Sequence, residues 1–537
     1  MTAGKMTAKN DVKVARPAGT PVARMARAAG IVLILNLLSR VLGFARDASI
    51  AACFGAGPAT DAYLVAYTIP YFLQTILGMA FVTVLVPVIT AYLVQGDRGE
   101  AWDVASAAGN WTFLLMTLLA LGGILSAPWL VKILAPGFNG PVYNLTVQLT
   151  RIMFLSLPFM GTGMLVSGIL NAGYIFTSPA LAPAVSNIII IATALLAGRA
   201  FGITGLAVGT VLSFVAFMVI QLPDLPRIEF RYKWHLLSRH PAVRQVGRHL
   251  LPVSLSLAVT QVYLATNRFF ASRLAAGSIT ALDFGNRLVT LPLGIFVASV
   301  TTAIFPSLAE QAARQNRREM AHLIDRGLGL VVITIIPAAA GLIFLREPLV
   351  RLLFERGAFE TRASAMTATA VFFYSLGLLA QAMHPILTRA FYALQEVTVP
   401  VTTGLLSVAL NFLFSCLLVP FLGHGGLALA NSLAASIYAF MLYIILYRRL
   451  PELGARPLLG NLARTCLAAA VMGILIGTAS GWLGLQSSTQ STLGLLTGTA
   501  ALIGAGVLTF WVMALLLRIE EVDYVTAMLR RRLRRLG

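Results

Sequence analysis

Residues 36–57 read NLLSRVLGFARDASIAACFGAG, and they place Arg40, Arg46 and Asp47 inside the first long apolar run of the chain. Each such charge at the centre of a membrane helix costs about 2.5–3.5 kcal/mol. Arginine in such a place suits a phosphate-bearing ligand, because its planar fork donates paired hydrogen bonds. The spacing is informative. At about 100° per residue, with Arg40 at zero, Asp47 falls at about −20°, Gly43 at about −60° and Arg46 at about −120°. These four share one face. Leu38, Val41, Leu42 and Ala45 take the other.

Two arrangements satisfy that pattern. Asp47 pairs with one arginine and the set staples helices together, or a wet cavity displays a surplus cation to an anionic ligand. Arg287 stands in a second apolar run, and Arg268 and Arg273 stand at the end of the run before it. Arg268, Arg273 and Arg389 are also placed to snorkel to an interface. For Arg46 and Arg287 the cavity is the stronger reading.

These residues must be positioned by a polytopic membrane protein. The chain of 537 residues is 58% hydrophobic and 11% charged, with a mean hydropathy of +0.83. A soluble domain carries about 25% charged residues. Fourteen apolar spans are expected, near 29–53, 61–95, 107–135, 144–172, 179–199, 202–222, 247–272, 279–309, 324–345, 366–392, 397–420, 425–447, 460–483 and 493–517. The net charge of +20 collects in tails and alternate loops rather than marking a nucleic-acid surface. Basic clusters before span 1, after spans 6, 8 and 12, and after span 14 all fall on one side, as positive-inside topology requires. Both termini are therefore expected in the cytoplasm, with a first span retained rather than cleaved as a signal peptide. The tail after span 14 reads as a basic amphipathic helix on the membrane surface or as a disordered basic tail. Cys53, Cys416 and Cys466 and the six histidines form no metal or disulfide pattern, and His235, His240 and His249 read as solvated. No cofactor or metal is expected.

An internal duplication organises the spans. GITGLAVG at Gly202 returns as GHGGLALA at Gly423, 221 positions later; LVKIL at Leu130 returns as LVRLL at Leu349. YIFTSP ending at Pro179 faces LQEVTVP ending at Pro400, and AGPATDA at Ala56 faces AGSITAL at Ala276. Spans 1–6 and 7–12 are thus two parallel copies of a six-helix unit, and transporters built this way bind substrate between the repeats. Spans 2 and 8 both carry prolines (Pro70 and Pro87; Pro292 and Pro306) and are expected to be interrupted beside the cavity. The expected organisation is a basic tail at 1–28, an N-lobe at 29–222, a basic loop at 223–246 and a C-lobe at 247–447. A helix pair at 460–517 and a basic tail at 518–537 follow. No GxxxxGK[ST] loop is present, so transport would not be driven by a nucleotide bound there. A membrane enzyme would need a large outer loop or clustered acids and histidines, and the chain has neither.

SRVLGFARD (39–47), FGAGPATDAY (54–63), APGF (135–138) and GNRLVTLPLG (285–294) resemble the MurJ/MviN family of lipid II flippases in the MOP superfamily. The resemblance implies a fourteen-helix protein of the bacterial cytoplasmic membrane, acting in cell wall biosynthesis. It implies a cationic cavity for a disaccharide-pentapeptide pyrophosphate head group and a groove on helices 13 and 14 for the polyprenyl tail. Carried over by motif, substrate binding falls on Arg40, Arg46, Asp47, Asp61 and Arg287. Gly43, Gln74, Asn286, Thr290 and Arg268 are expected to line the cavity. The chain departs from the family in span 2, where QTILGMAF (74–81) replaces a stretch that often carries Arg and an acid, and in span 8, where Asn286 and Thr290 stand at usually acidic positions. The expected partners are lipid II and membrane lipids, the expected state a monomer. Another polyprenyl-diphosphate oligosaccharide, or a drug exported by a MATE-like route, is the alternative cargo.

Overall fold

The computed structural model of the chain describes residues 21–236, 240–485, 491–519 and 521–522. Residues 1–20 and 523–537, which hold most of the two expected basic tails, lie outside the described residues. Among the described residues all regular structure is helical. A bilayer demands this, since every backbone polar group must be satisfied within the segment.

The first copy contains α1 (Pro21–Phe54), α2 (Pro58–Leu73), α3 (Met79–Gln95), α4 (Arg98–Leu134), α5 (Gly140–Phe154), α6 (Leu157–Ala172) and α7 (Thr177–Val219). The second contains α8 (Pro241–Ala271), α9 (Ser278–Pro292), α10 (Ala298–Ala313), α11 (Arg317–Phe344), α12 (Arg346–Phe354), α13 (Thr361–Leu376), α14 (Leu378–Ala393), α15 (Thr398–Leu422) and α16 (His424–Arg449). The last pair is α17 (Ala455–Trp482) and α18 (Thr492–Leu516). Among the described residues eleven helices are long and apolar enough to cross a membrane. The pair α13 and α14, bent by 46°, makes a twelfth span. The two other expected spans correspond to α1 and α8, which are 34 and 31 residues long but are not among those twelve.

The backbone repeats at the spacing of the sequence. Gly202 (φ 59°) and Gly423 (φ 54°) both turn the chain between successive spans with ψ near the extended range. Tyr174 and Gln395, also 221 positions apart, share a left-handed φ of 62° and 61°. Asp97 caps α4 by accepting from the Glu100 N–H, and Asn316 caps α11 from the Glu319 N–H in the same way. Even the interruptions correspond. Spans 2 and 8 are not broken as expected; each is continuous through a π turn, Gln74–Gly78 in one and Leu293–Val297 in the other. Pro70 and Pro292 lie just before these turns, where the missing proline N–H frees a carbonyl and eases insertion of one extra residue.

Equivalent pairs also pack alike. α2 rests on α5 as α9 rests on α13, and α4 on α6 as α11 on α14. α17 packs on α11 of the C-lobe and on α18. Glu521, just beyond α18, accepts two hydrogen bonds from Asn461 of α17 at 2.8 and 2.9 Å. The described part of the basic loop is tied to α4 at several points, although most of its side chains stay exposed. Lys233 pairs with Asp103 at 2.6 Å, Asn110 donates to the His235 carbonyl at 2.8 Å, and His240 lies 2.9 Å from Glu100 while its Nδ1 caps α8. His235 and His240 are therefore fastened to α4, contrary to the sequence reading; the side chain of His249 lies outside the description.

Candidate functional site

One face of α1 lines a cavity of about 570 Å³ between the lobes, and α2, α7, α8 and α9 supply its other walls. Arg40, Gly43, Arg46 and Asp47 all reach it, together with Phe44 and Ile50. On the opposite side of α1, Leu38 and Val41 are 45% and 66% exposed, as a lipid-facing stripe would be. The helical spacing of the sequence thus translated directly into a polar and an apolar face.

The charges form an alternating chain across both lobes. Arg46 reaches Asp47 at 2.9 Å and donates to the Asn187 side-chain oxygen at 3.1 Å. Asp47 also pairs with Arg287 of α9. Arg287 pairs with Asp283 one turn earlier at 2.8 Å, and Asp283 pairs with Arg268 of α8 at 2.8 Å. Arg268 is 5% exposed and donates to the Thr68 hydroxyl at 3.2 Å, so it does not snorkel to an interface. The sequence reading missed Asp283. Its position four residues before Arg287 was the available signal, since i,i+4 pairs meet on one helix face.

Arg40 stands apart from this chain. Among the described residues no carboxylate pairs with it, and its guanidinium lies against the second π turn, where a Cβ on Gly294 would collide with it. Four arginines therefore face two aspartates in this cavity. A surplus of two positive charges, in a space partly shielded from water, suits a ligand carrying two or more negative charges. Among the described residues no three His, Cys, Asp or Glu side chains gather as a metal site.

Asn286, Thr290 and Arg268 line the cavity as expected. Asp61 and Gln74 do not. Gln74 sits in the first π turn and approaches the Met164 sulfur at 3.5 Å. Asp61 is 3% exposed and crosses the lobe boundary. It accepts from the Gly277 N–H at 2.7 Å, and from the Thr280 N–H and hydroxyl at 2.9 and 2.6 Å. A carboxylate at the start of α9 satisfies otherwise unpaired N–H groups and the helix dipole.

Asp61 belongs to a seam that closes the cavity at the end where α1 finishes. There Ala358 N–H donates to the Ala52 carbonyl at 2.9 Å, and Gly137 N–H donates to the Ser272 hydroxyl at 3.1 Å. Gly137 must lack a side chain, because a Cβ would run into the Ser272 carbonyl. The motifs FGAGPATDAY and APGF thus map onto backbone contact between lobes. Away from the seam the walls open. Along α2, Tyr63 is 5% exposed and Tyr71 is 36%. Tyr63, Tyr67 and Tyr71 all line the cavity, another feature the sequence reading missed despite their i, i+4, i+8 spacing.

The profile of the family described as "Lipid II flippase MurJ" matches residues 50–497. The chain belongs to this family. It is 31% identical to the probable lipid II flippase MurJ of Vibrio cholerae over 94% of this chain and 98% of that protein. It is 30% identical to the lipid II flippase MurJ of Burkholderia cenocepacia over 77% of this chain and 82% of that protein. In fold it is similar to a lipid II flippase MurJ solved in an inward closed conformation, with a TM-score of 0.75 and 23% identity, covering 91% of this chain and 98% of that one. A multidrug resistance MATE transporter of the MOP superfamily, inward-facing, matches with a TM-score of 0.66 and 16% identity over 79% of this chain and 98% of that one. Of the strings that carry the family resemblance, FGAGPATDAY and APGF lie at the seam, and SRVLGFARD and GNRLVTLPLG line the cavity.

Proposed function

We propose that this chain translocates lipid II from the inner to the outer leaflet of a bacterial cytoplasmic membrane by alternating access, for cell wall synthesis. The observation that carries this reading is the cavity of four arginines and two aspartates, sealed at one end by contacts that small movements of the lobes can break. Fourteen spans with both termini cytoplasmic put the seam at the outer face and the open walls of the cavity toward the cytoplasm. The polyprenyl tail stays in the lipid, against the exposed apolar faces of α17 and α18, where Leu467, Ile474, Val507 and Leu508 point outward. The protein works as a monomer, without nucleic acid and without covalent chemistry.

Asp47 and Asp283 have a definite part in this mechanism. A diphosphate entering the cavity takes Arg46 and Arg287 away from these carboxylates, exchanging one set of charge-assisted hydrogen bonds for another. The aspartates compete with the ligand and keep its binding reversible, as transport requires. When the lobes rock, Asp61 leaves the start of α9, the outer seam parts and the head group exits. The arginines then return to Asp47 and Asp283.

Rescue of a bacterium depleted of its own lipid II flippase tests the reading. The wild-type chain should restore growth, and Arg46→Ala and Arg287→Ala, expressed at the same level, should not. Normal lipid II translocation by those two variants would sink it. The uncharged stretch QTILGMAF in span 2 favours one second reading, a different polyprenyl-diphosphate oligosaccharide. Membrane-inserted wild-type protein that fails to rescue would point there.

A further inference from the structure

The three tyrosines of α2 form a column. The rings of Tyr63 and Tyr67 stack at 6.5 Å between centroids with 9° between their planes. Those of Tyr67 and Tyr71 stack at 5.6 Å and 28°. Tyr63 fixes the inner end of the column through a 2.9 Å hydrogen bond between its hydroxyl and that of Thr210. Tyr67 is held between its two neighbours. Tyr71 ends the series. The position four residues on is Thr75, inside the first π turn, and it has no ring. Among the described residues Tyr71 therefore has a ring neighbour on one side only. It is 36% exposed where the cavity opens.

The same cavity holds Arg46 and Arg287. It thus offers two kinds of recognition side by side, a cationic group for an anion and an aromatic column ending in an open rung. A column of stacked rings needs a flat, largely apolar partner to continue it. The aliphatic C–H face of a pyranose is such a surface, and its hydroxyl edges can take hydrogen bonds from the cavity walls. Lipid tails would not need the polar surroundings, and a peptide would not need the planar end.

We infer that Tyr71 is a saccharide subsite, the final rung of a tyrosine column on which a sugar ring linked to the diphosphate stacks while Arg46 and Arg287 hold the phosphates. The inference rests on the proposed flippase reading and adds a determinant to it. The diphosphate cluster recognises any polyprenyl diphosphate; the column distinguishes a glycosylated one. Loss of one aromatic contact of this kind is expected to cost about tenfold in affinity.

The test uses the full chain in lipid nanodiscs with two probes, lipid II and a polyprenyl diphosphate without sugar. Tyr71→Leu should bind lipid II about tenfold more weakly and bind the sugar-free lipid as the wild type does. Tyr71→Phe and Tyr71→Trp should keep lipid II binding, because both retain the ring. Equal loss for the two probes in Tyr71→Leu, no loss for either, or equal lipid II binding by the Leu and Trp variants would overturn the inference. Arg287→Ala serves as the separate arm. If it weakened neither probe, the diphosphate reading of the cavity would fail, whatever Tyr71 does.

Discussion

α2 and α9 are the same helix in two copies of one unit. Each follows a loop at the seam, each packs on the equivalent neighbour, and each ends in a π turn beside the cavity. Their side chains differ. α2 carries Tyr63, Tyr67 and Tyr71 into the cavity, with no charge at its matching depth, whereas α9 carries Asp283 and Arg287. The duplication has kept the backbone and divided the chemistry. A symmetric cavity would offer the same groups twice. This one offers an ionic wall opposite an aromatic wall, which suits a ligand whose ends differ. The uncharged stretch QTILGMAF lies beyond this aromatic wall, and none of its residues lines the cavity.

The comparison can be broken most severely at Arg287. Its replacement by Ala should reduce translocation at least a hundredfold, measured by outer-leaflet accessibility of lipid II. It also leaves Asp47 and Asp283 with one cation fewer, although Asp47 keeps Arg46 and Asp283 keeps Arg268. Adding Asp283→Asn takes the carboxylate away from the buried Arg268 and should lower thermal stability in detergent beyond the effect of Arg287→Ala alone. Normal translocation by Arg287→Ala would show that Arg287 serves packing alone.

The seam gives the next effect. Asp61→Ala removes three hydrogen bonds at the start of α9. With Ala52→Cys and Ala358→Cys placed across the lobe boundary, disulfide yield should fall several-fold in that background. An unchanged yield would mean that Asp61 does not hold the seam. The equivalent glycines sharpen the comparison further. Gly202→Ala and Gly423→Ala should each cost about 1–3 kcal/mol, because both positions have a backbone conformation that disfavours a Cβ. Thermal melts that differ greatly between the two would argue that the copies no longer share this turn. The smallest effect belongs to the lipid face of α1, where Val41→Ala should leave growth rescue within about twofold, since surface substitutions without partners are usually mild.

Much of this was legible in residues alone. Lipid imposes helices, so apolar length gives the spans, and fixed helical spacing gives the polar face of α1. The repeated strings around Gly202 and Gly423 record positions where the chain must turn, and those turns are local. Eight of the ten residues expected at the site, several of them on the family resemblance alone, line the cavity. The two exceptions have a common cause. Asp61 was carried over by its place in the motif FGAGPATDAY and Gln74 by its place in the stretch QTILGMAF, but a match of position does not say which neighbour the side chain meets. Asp61 lies one turn too near the seam and caps α9 instead, while Gln74 is turned toward Met164 by the π turn.

The sequence by itself determined the helical class, the duplication and the charged face of the first span, because each follows from local spacing or from composition; the family was legible from the resemblance of strings such as SRVLGFARD and FGAGPATDAY. Only the tertiary structure decided that Asp283 also meets Arg268 of α8, that Arg287 meets Asp47 of α1, that Asp61 bridges the lobes, and that the tyrosine column faces the cavity. These depend on lateral packing between helices distant in sequence. Helical periodicity fixes the face on which a charge stands; the neighbour brought against that face fixes what the charge does.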